Sequence, residues 1–249
     1  MQKMIAIGGG EIGRPGYKVE TLSIDKEIIK LSGKKTPKLL FIPTASSDSE
    51  GYCKVVEKHF GKTLGCTVEY LLLLDKKLTK KAIKEKILSA DIIYVGGGNT
   101  LKMMILWRKL GVDTHLKQAH LNGVVLSGLS AGAICWFRHG ESDSRKLNNP
   151  NAPYTKVKGL GMVKMLLCPH YDSENERQAD LENMMKNTPG TAIALENCCA
   201  IEVIDDTYRI IASKKSANAY RIYWSKGRVK KELIEKSDQY KPLKEIILK

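Results

Sequence analysis

Short apolar runs alternate with helical stretches through the first two thirds of the chain, and this alternation limits the fold more than any other feature. Residues 4–7 form an isoleucine-rich run that stops at Gly8-Gly9-Gly10. Residues 38–42 stop at Pro43, and residues 91–95 stop at Gly96-Gly97-Gly98. Residues 67–74 and 123–127 complete the predicted strands of this region. Between them, residues 49–64, 79–88 and 99–110 read as helices, with Thr79 and Asn99 at cap positions and Gly65 and Gly111 as stop signals. Strands alternating with helices pack as a mainly parallel sheet with helices on both faces, so the expected class is α/β.

The pattern changes after His139. Residues 140–161 are polar, contain Pro150 and Pro153, and are expected to form one long loop. A strand at 163–168 ends at Pro169-His170, and Ser173-Glu174-Asn175-Glu176 fits a capping box for a helix to about Lys186. Residues 191–234 are rich in strand signals, with Asp205-Asp206 as a hairpin turn, and read as a β-rich C-terminal extension. A chain of 249 residues without a Gly/Ser/Pro-rich linker suits a single domain spanning 1–249.

Composition removes several functional classes. A 43% apolar content is ordinary for a globular protein. No apolar run approaches the roughly 18–20 residues that span a bilayer, and the apolar N-terminal run is too short for a secretion signal. The six cysteines lack C-x-x-C spacing, which fits buried thiols in a reducing cytoplasm and no metal site. The net charge of +14 comes from scattered lysines without interleaved aromatics. That is a solvated basic surface, with no nucleic-acid or membrane partner, that would attract acidic substrates weakly.

The chemistry concentrates at Gly128-Leu129-Ser130-Ala131-Gly132, a G-x-S-x-G between a strand and a helix. A serine hydroxyl must stand clear of the backbone to meet a base, and a sharp strand-to-helix turn achieves this when its neighbours are small. The N–H of Ala131 is then an oxyanion donor. The plain alternative is a glycine-rich turn with Ser130 as helix cap. Of the five histidines, His59, His115 and His120 fall on expected helices and His139 at the end of the elbow helix. His170 follows a strand at the sheet edge where α/β sites assemble, and is the expected base. Asp143 is a candidate third member, in competition with Glu141, Asp172 and Glu196. Gly97 or Gly98 could supply a second oxyanion N–H, and Asn99 and Thr100 could contact substrate, although Asn99 is equally a helix cap. Gly8-Gly9-Gly10-Glu11-Ile12-Gly13 matches a dinucleotide fingerprint, but Arg14-Pro15-Gly16 blocks the helix that motif needs.

Three blocks in order, Ile92 to Thr100 with its glycine triplet, Gly128 to Ala133, and Cys168-Pro169-His170-Tyr171-Asp172, resemble the signatures of the peptidase E family, peptidase S51, which includes dipeptidase E and cyanophycinase. The resemblance spans about residues 3–223 and leaves a basic tail, 224–249, outside it. It implies a fold like class I glutamine amidotransferases with serine in place of the nucleophilic cysteine. It also implies a catalytic Ser130, His170 and Asp143, and oxyanion donors at Gly98 and Ala131. The expected substrate is a small peptide, preferably a dipeptide beginning with an acidic residue. The resemblance points by position to Arg177 as partner for that carboxylate, beside Gly97, Asn99 and Thr100. No cofactor is implied, and a homodimer is compatible. The loop 140–161 would then cover the site. The rival readings are a cyanophycinase-like β-aspartyl peptidase and an amidotransferase-like binding protein without catalysis.

Overall fold

The computed structural model describes residues 1–247 other than Lys76, Asn148 and Glu174. The expected N-terminal strands are β1 (Lys3–Ile7), β2 (Lys38–Ile42), β3 (Thr67–Tyr70), β4 (Ile92–Val95) and β5 (Val125–Leu129). They pair in parallel in the order β1-β5-β4-β2-β3. Every residue of β4 and β5 is buried, which explains runs that are apolar on both faces. On one face α1 (Leu22–Ser32) and α2 (Glu50–Val56) bring Ile24, Ile28, Val55 and Val56 against Ile5, Leu39 and Phe41. On the other, α3 (Lys80–Leu88), α4 (Thr100–Leu110) and α5 (Val112–Leu121) surround a core containing Leu40, Ile93, Met103, Trp107 and Leu116. The α1 helix is absent from the sequence expectations, although Ile24 and Ile28 lie one turn apart and Gly33 closes it at φ 69°. The expected helix 49–64 is α2 followed by a π-helical segment, Glu57–Thr63.

After β5 the chain departs from expectation. The elbow helix α6 (Ala131–Ile134) is a single turn and does not run to His139. The carbonyls of Cys135 and Trp136 accept the N–H groups of Leu160 (2.7 Å) and Met162 (2.9 Å), so a returning segment takes the acceptors that a longer helix would use. The chain enters β6 (Phe137–Ser142), which carries His139 and Glu141, and then β7 (Thr155–Lys158). Residues 140–161 are therefore not one loop.

The later strands are β8 (Val163–Cys168), β9 (Thr191–Leu195), β10 (Cys199–Ile204), β11 (Thr207–Ala212), β12 (Ala219–Ser225), β13 (Arg228–Ile234) and β14 (Lys241–Pro242). Among the described residues, β10, β11 and β14 extend the first sheet antiparallel beyond β1, to eight strands. A second sheet, six-stranded among the described residues, has the order β13-β12-β9-β8-β6-β7. Both sheets are mixed, and the C-terminal strands are integral to them rather than an extension of a single parallel sheet. Period-two alternation joins the layers. Met165, Leu167, Ile193 and Leu195 enter the core shared with the first sheet, while Leu166, Cys168, Ala192 and Ala194 meet Leu181 and Met185 of α7 (Asn175–Lys186). The expected capping box of α7 includes Glu174, which lies outside the described residues. Asp205-Asp206 forms the two-residue turn between β10 and β11, with Asp205 at φ 48°. All six cysteines are buried and free.

Candidate active site

Ser130 sits between β5 and α6 with φ 54° and ψ −113°, a conformation that costs a non-glycine residue on the order of 1–3 kcal/mol. Its surroundings hold it there. Its N–H donates to Ile7 O (3.1 Å), and its carbonyl accepts from Ala133 and Ile134, both at 2.9 Å. Gly132 lets the turn close on β4: a Cβ there would lie 2.0 Å from the Val95 carbonyl oxygen. The requirement for small flanking residues is thus a contact with the neighbouring strand.

His170 follows β8, also at positive φ (53°), and its N–H donates to Gly8 O (3.1 Å). Gly9 is bare because the imidazole occupies the space: a Cβ would lie 2.4 Å from His170 Nδ1 and 2.1 Å from Asn197 Oδ1. The first glycine triplet therefore serves the histidine turn, not a nucleotide. His170 Nδ1 faces the amide oxygen of Asn197 at 2.8 Å. With Nδ1–H donating to that oxygen, Nε2 carries the free lone pair. Asn197 is held in turn by its backbone N–H, which donates to Asp172 Oδ1 (2.8 Å). Burial pushes the His170 pKa below its ordinary value. The Asn197 bond opposes this, the Arg177 charge adds to it, and the charges of Asp143 and Asp172 oppose it.

Among the described residues, the partner of Nδ1 is thus Asn197 and not Asp143, which reaches His170 only through its field. The competing carboxylates are engaged elsewhere. Glu196 accepts from Asn218 N–H (2.8 Å) and Tyr220 Oη (3.1 Å). Glu141, fully buried on β6, accepts from the Cys168 thiol (2.7 Å) and lies 3.8 Å from Arg177 Nη1. Arg177 is 1% exposed and stacks on the Tyr154 ring at 4.4 Å, so it does not stand ready for a substrate carboxylate.

Ser130 and His170 share a cleft of about 1010 Å³ with Gly97 and Gly98. Gly98, at φ 133°, ends the second glycine triplet before α4. Asn99 and Thr100 are outside the cleft lining. Asn99 Oδ1 caps α4 by accepting from Lys102 N–H (2.9 Å), and its Nδ2 donates to Ser144 O (3.0 Å). Thr100 Oγ1 accepts from the Ser142 hydroxyl (3.2 Å), and Thr100 is buried. None of the described residues of 140–161 lines the cleft. Its outer wall is the segment Gly10 to Tyr17, folded back through an Ile12–Val19 bridge, and its side wall is α2 and the π-helical turn with Tyr52, Lys54 and Lys58. Among the described residues, three cations therefore line the cleft. Arg14 pairs with Glu11 (2.6 Å) and Lys54 with Glu50 (2.6 Å), whereas Lys58 has no ion-pair partner among the described residues.

Sequence reasoning missed Asn197, Tyr52, Lys58 and Arg14. Only Asn197 carried a usable signal, since it follows a strand that ends beside β8 on the same sheet edge.

Known proteins share this architecture. The solved structure of a peptidase from an acI-B1 actinobacterium superposes with a TM-score of 0.68 at 18% identity, over 97% of each chain. A peptidase E candidate from Listeria monocytogenes EGD-e gives 0.61 at 18% identity, over 85% of this chain and 98% of its own. By sequence, the chain is 35% identical over 233 residues to the uncharacterised peptidase YgaJ of Bacillus subtilis strain 168, covering 92% of this chain and 95% of that one. Peptidase E of Shewanella denitrificans OS217 is 25% identical over 199 residues, 76% of this chain and 80% of its own. Residues 4–211 match the peptidase family S51. With an elbow serine and a fixed histidine facing one cleft, the chain belongs to peptidase family S51.

Proposed function

We propose that the protein is a serine peptidase of a reducing, cytoplasmic compartment that cleaves small peptides, preferentially dipeptides with an acidic N-terminal residue. The observation that carries this reading is Ser130, held at an elbow in a cleft that also exposes His170 with its Nδ1 already engaged. Ser130 Oγ attacks the scissile carbonyl carbon and passes its proton to His170 Nε2. The N–H groups of Gly98 and Ala131 receive the oxyanion. The imidazolium returns the proton to the departing amine, and a water deprotonated by His170 then hydrolyses the ester and frees Ser130.

In this reading an amide replaces the usual carboxylate behind the histidine. Asn197 orients the ring but brings no charge to the imidazolium. Because His170 acts as a base only when neutral, kcat/KM should rise with pH along an acid limb below the ordinary histidine value. Asn197→Asp places a negative charge on Nδ1 and should move that limb up by about 1–3 pH units. Asn197→Ala should lower kcat about a hundredfold, the scale for a misplaced catalytic group. A pH profile unchanged in Asn197→Asp, with normal kcat in Asn197→Ala, would remove Asn197 from the mechanism, and Asp143→Asn can be compared in the same series.

The acidic preference is supported by the cations of the cleft, with Lys58 in the role first expected of Arg177. Lys58→Met should raise KM for dipeptides beginning with aspartate roughly three- to tenfold, the range of a solvent-screened ion pair. Neutral dipeptides should be unaffected. An equal change on both substrates would assign Lys58 to the wall alone.

A further inference from the structure

The four successive N–H groups of residues 96–99 are not equivalent. Gly96 N–H donates to Ile42 O (3.3 Å) and Asn99 N–H to Ala45 O (2.8 Å). Gly97 N–H donates to the phenolic oxygen of Tyr52 (3.3 Å). Among the described residues, only Gly98 N–H of these four has no acceptor within the chain, and Gly98 lines the cleft with Ser130. Three consecutive glycines make a backbone with little preference of its own. The peptide unit between Gly97 and Gly98 carries the Gly97 carbonyl on one edge and the Gly98 N–H on the other. Rotated, it would offer a developing oxyanion the wrong end of the dipole. Of the three ties that fix the turn, two are to main-chain carbonyls and one is to a side chain.

That side chain is rigidly built. Ser49 Oγ caps α2 by accepting from Tyr52 N–H (3.3 Å), and the Tyr52 ring meets Phe41 edge-on with centroids 5.0 Å apart. The missing Cβ of Gly96 makes room for it: a Cβ there would lie 2.8 Å from Tyr52 Cε1. Burial pushes the phenol pKa up to about 12, so the hydroxyl stays neutral throughout the working range.

We infer that Tyr52 is a positioning residue for the oxyanion hole, its hydroxyl holding Gly97 so that the Gly98 N–H faces the oxygen of the carbonyl attacked by Ser130. The inference rests on Ser130 being the nucleophile. It also explains why a tyrosine, rather than another large apolar residue, packs against the glycine turn. Its hydroxyl contributes nothing to the packing of the ring on Phe41.

The test is Tyr52→Phe, which keeps the ring and removes one oxygen. The expected result is a fall in kcat of about ten- to a hundredfold, less than the loss of a whole oxyanion donor, with KM near wild type. Affinity for a dipeptidyl boronic acid, whose tetrahedral adduct puts an oxygen in the hole, should fall by the same factor. Amide hydrogen exchange in segment 92–100 should accelerate, while the thermal midpoint stays at the wild-type value. Normal kcat and boronate affinity in Tyr52→Phe would overturn the inference, and so would a rise in KM alone, which would make Tyr52 a substrate contact. Wild-type protein that a fluorophosphonate fails to label at Ser130 would overturn the serine-peptidase reading as well, which separates that failure from failure of Tyr52 alone.

Discussion

Replacing Ser130 with alanine is expected to lower kcat by about 10⁴–10⁶-fold, the loss that follows removal of a nucleophile acting in concert with its base. The fold should be untouched. Alanine keeps the Cβ that the elbow already accommodates at φ 54°, and the anchors of the turn are main-chain bonds to Ile7, Ala133 and Ile134. Three measurements check this together: turnover on Asp-initiated dipeptides, labelling by a fluorophosphonate, and the thermal midpoint. The expected outcome is an unlabelled, inactive protein that melts with wild type. Activity close to wild type would remove Ser130 from the chemistry. Wild-type protein that neither turns over peptides nor takes the label would instead support a binding protein built on a peptidase fold.

The largest expected effect on stability is at Arg177. Its guanidinium is 1% exposed, 3.8 Å from a Glu141 carboxylate that is itself fully buried, and packed on the face of Tyr154. Truncation to alanine removes the buried cation beside the Glu141 carboxylate, in a site that water cannot reach. Breaking a buried pair from one side costs about 3–5 kcal/mol. Arg177→Ala should therefore lower the urea midpoint substantially and reduce activity on acidic and neutral dipeptides alike. A variant of wild-type stability that loses only the acidic substrates would restore Arg177 to the recognition role first expected of it.

Arg177 illustrates what a sequence can and cannot convey. Its place after His170, on a helix, was legible. The residues that enclose it come from β6 and the segment before β7, and no local pattern connects them. The core strands were legible because burial on both faces writes an unbroken apolar run, as in β2, where the expected 38–42 coincides with Lys38–Ile42. The caps at Thr79 and Asn99 were legible because a side-chain oxygen three residues before a free N–H is a local arrangement, here with Ala82 and Lys102. The elbow and His170 were legible for the same reason, as short segments at strand ends. The division of strands between two sheets was not, because β9 and β10 are neighbours in sequence and differ only in what they pair with. The one-turn length of α6 depends on a segment returning to it from residues 159–163. Asn197 was not legible, because an amide carries no charge to distinguish it from any other polar loop residue.

The routing of β9 into one sheet and β10 into the other has a consequence for the life of the nascent chain. Ser130 follows a strand of the first sheet, His170 leaves the second, and Asn197 lies on the crossing between them. A polypeptide that has completed either layer alone carries the hydroxyl without an aligned imidazole, or the imidazole without its hydroxyl. The groups proposed to act together thus meet only when the layers dock.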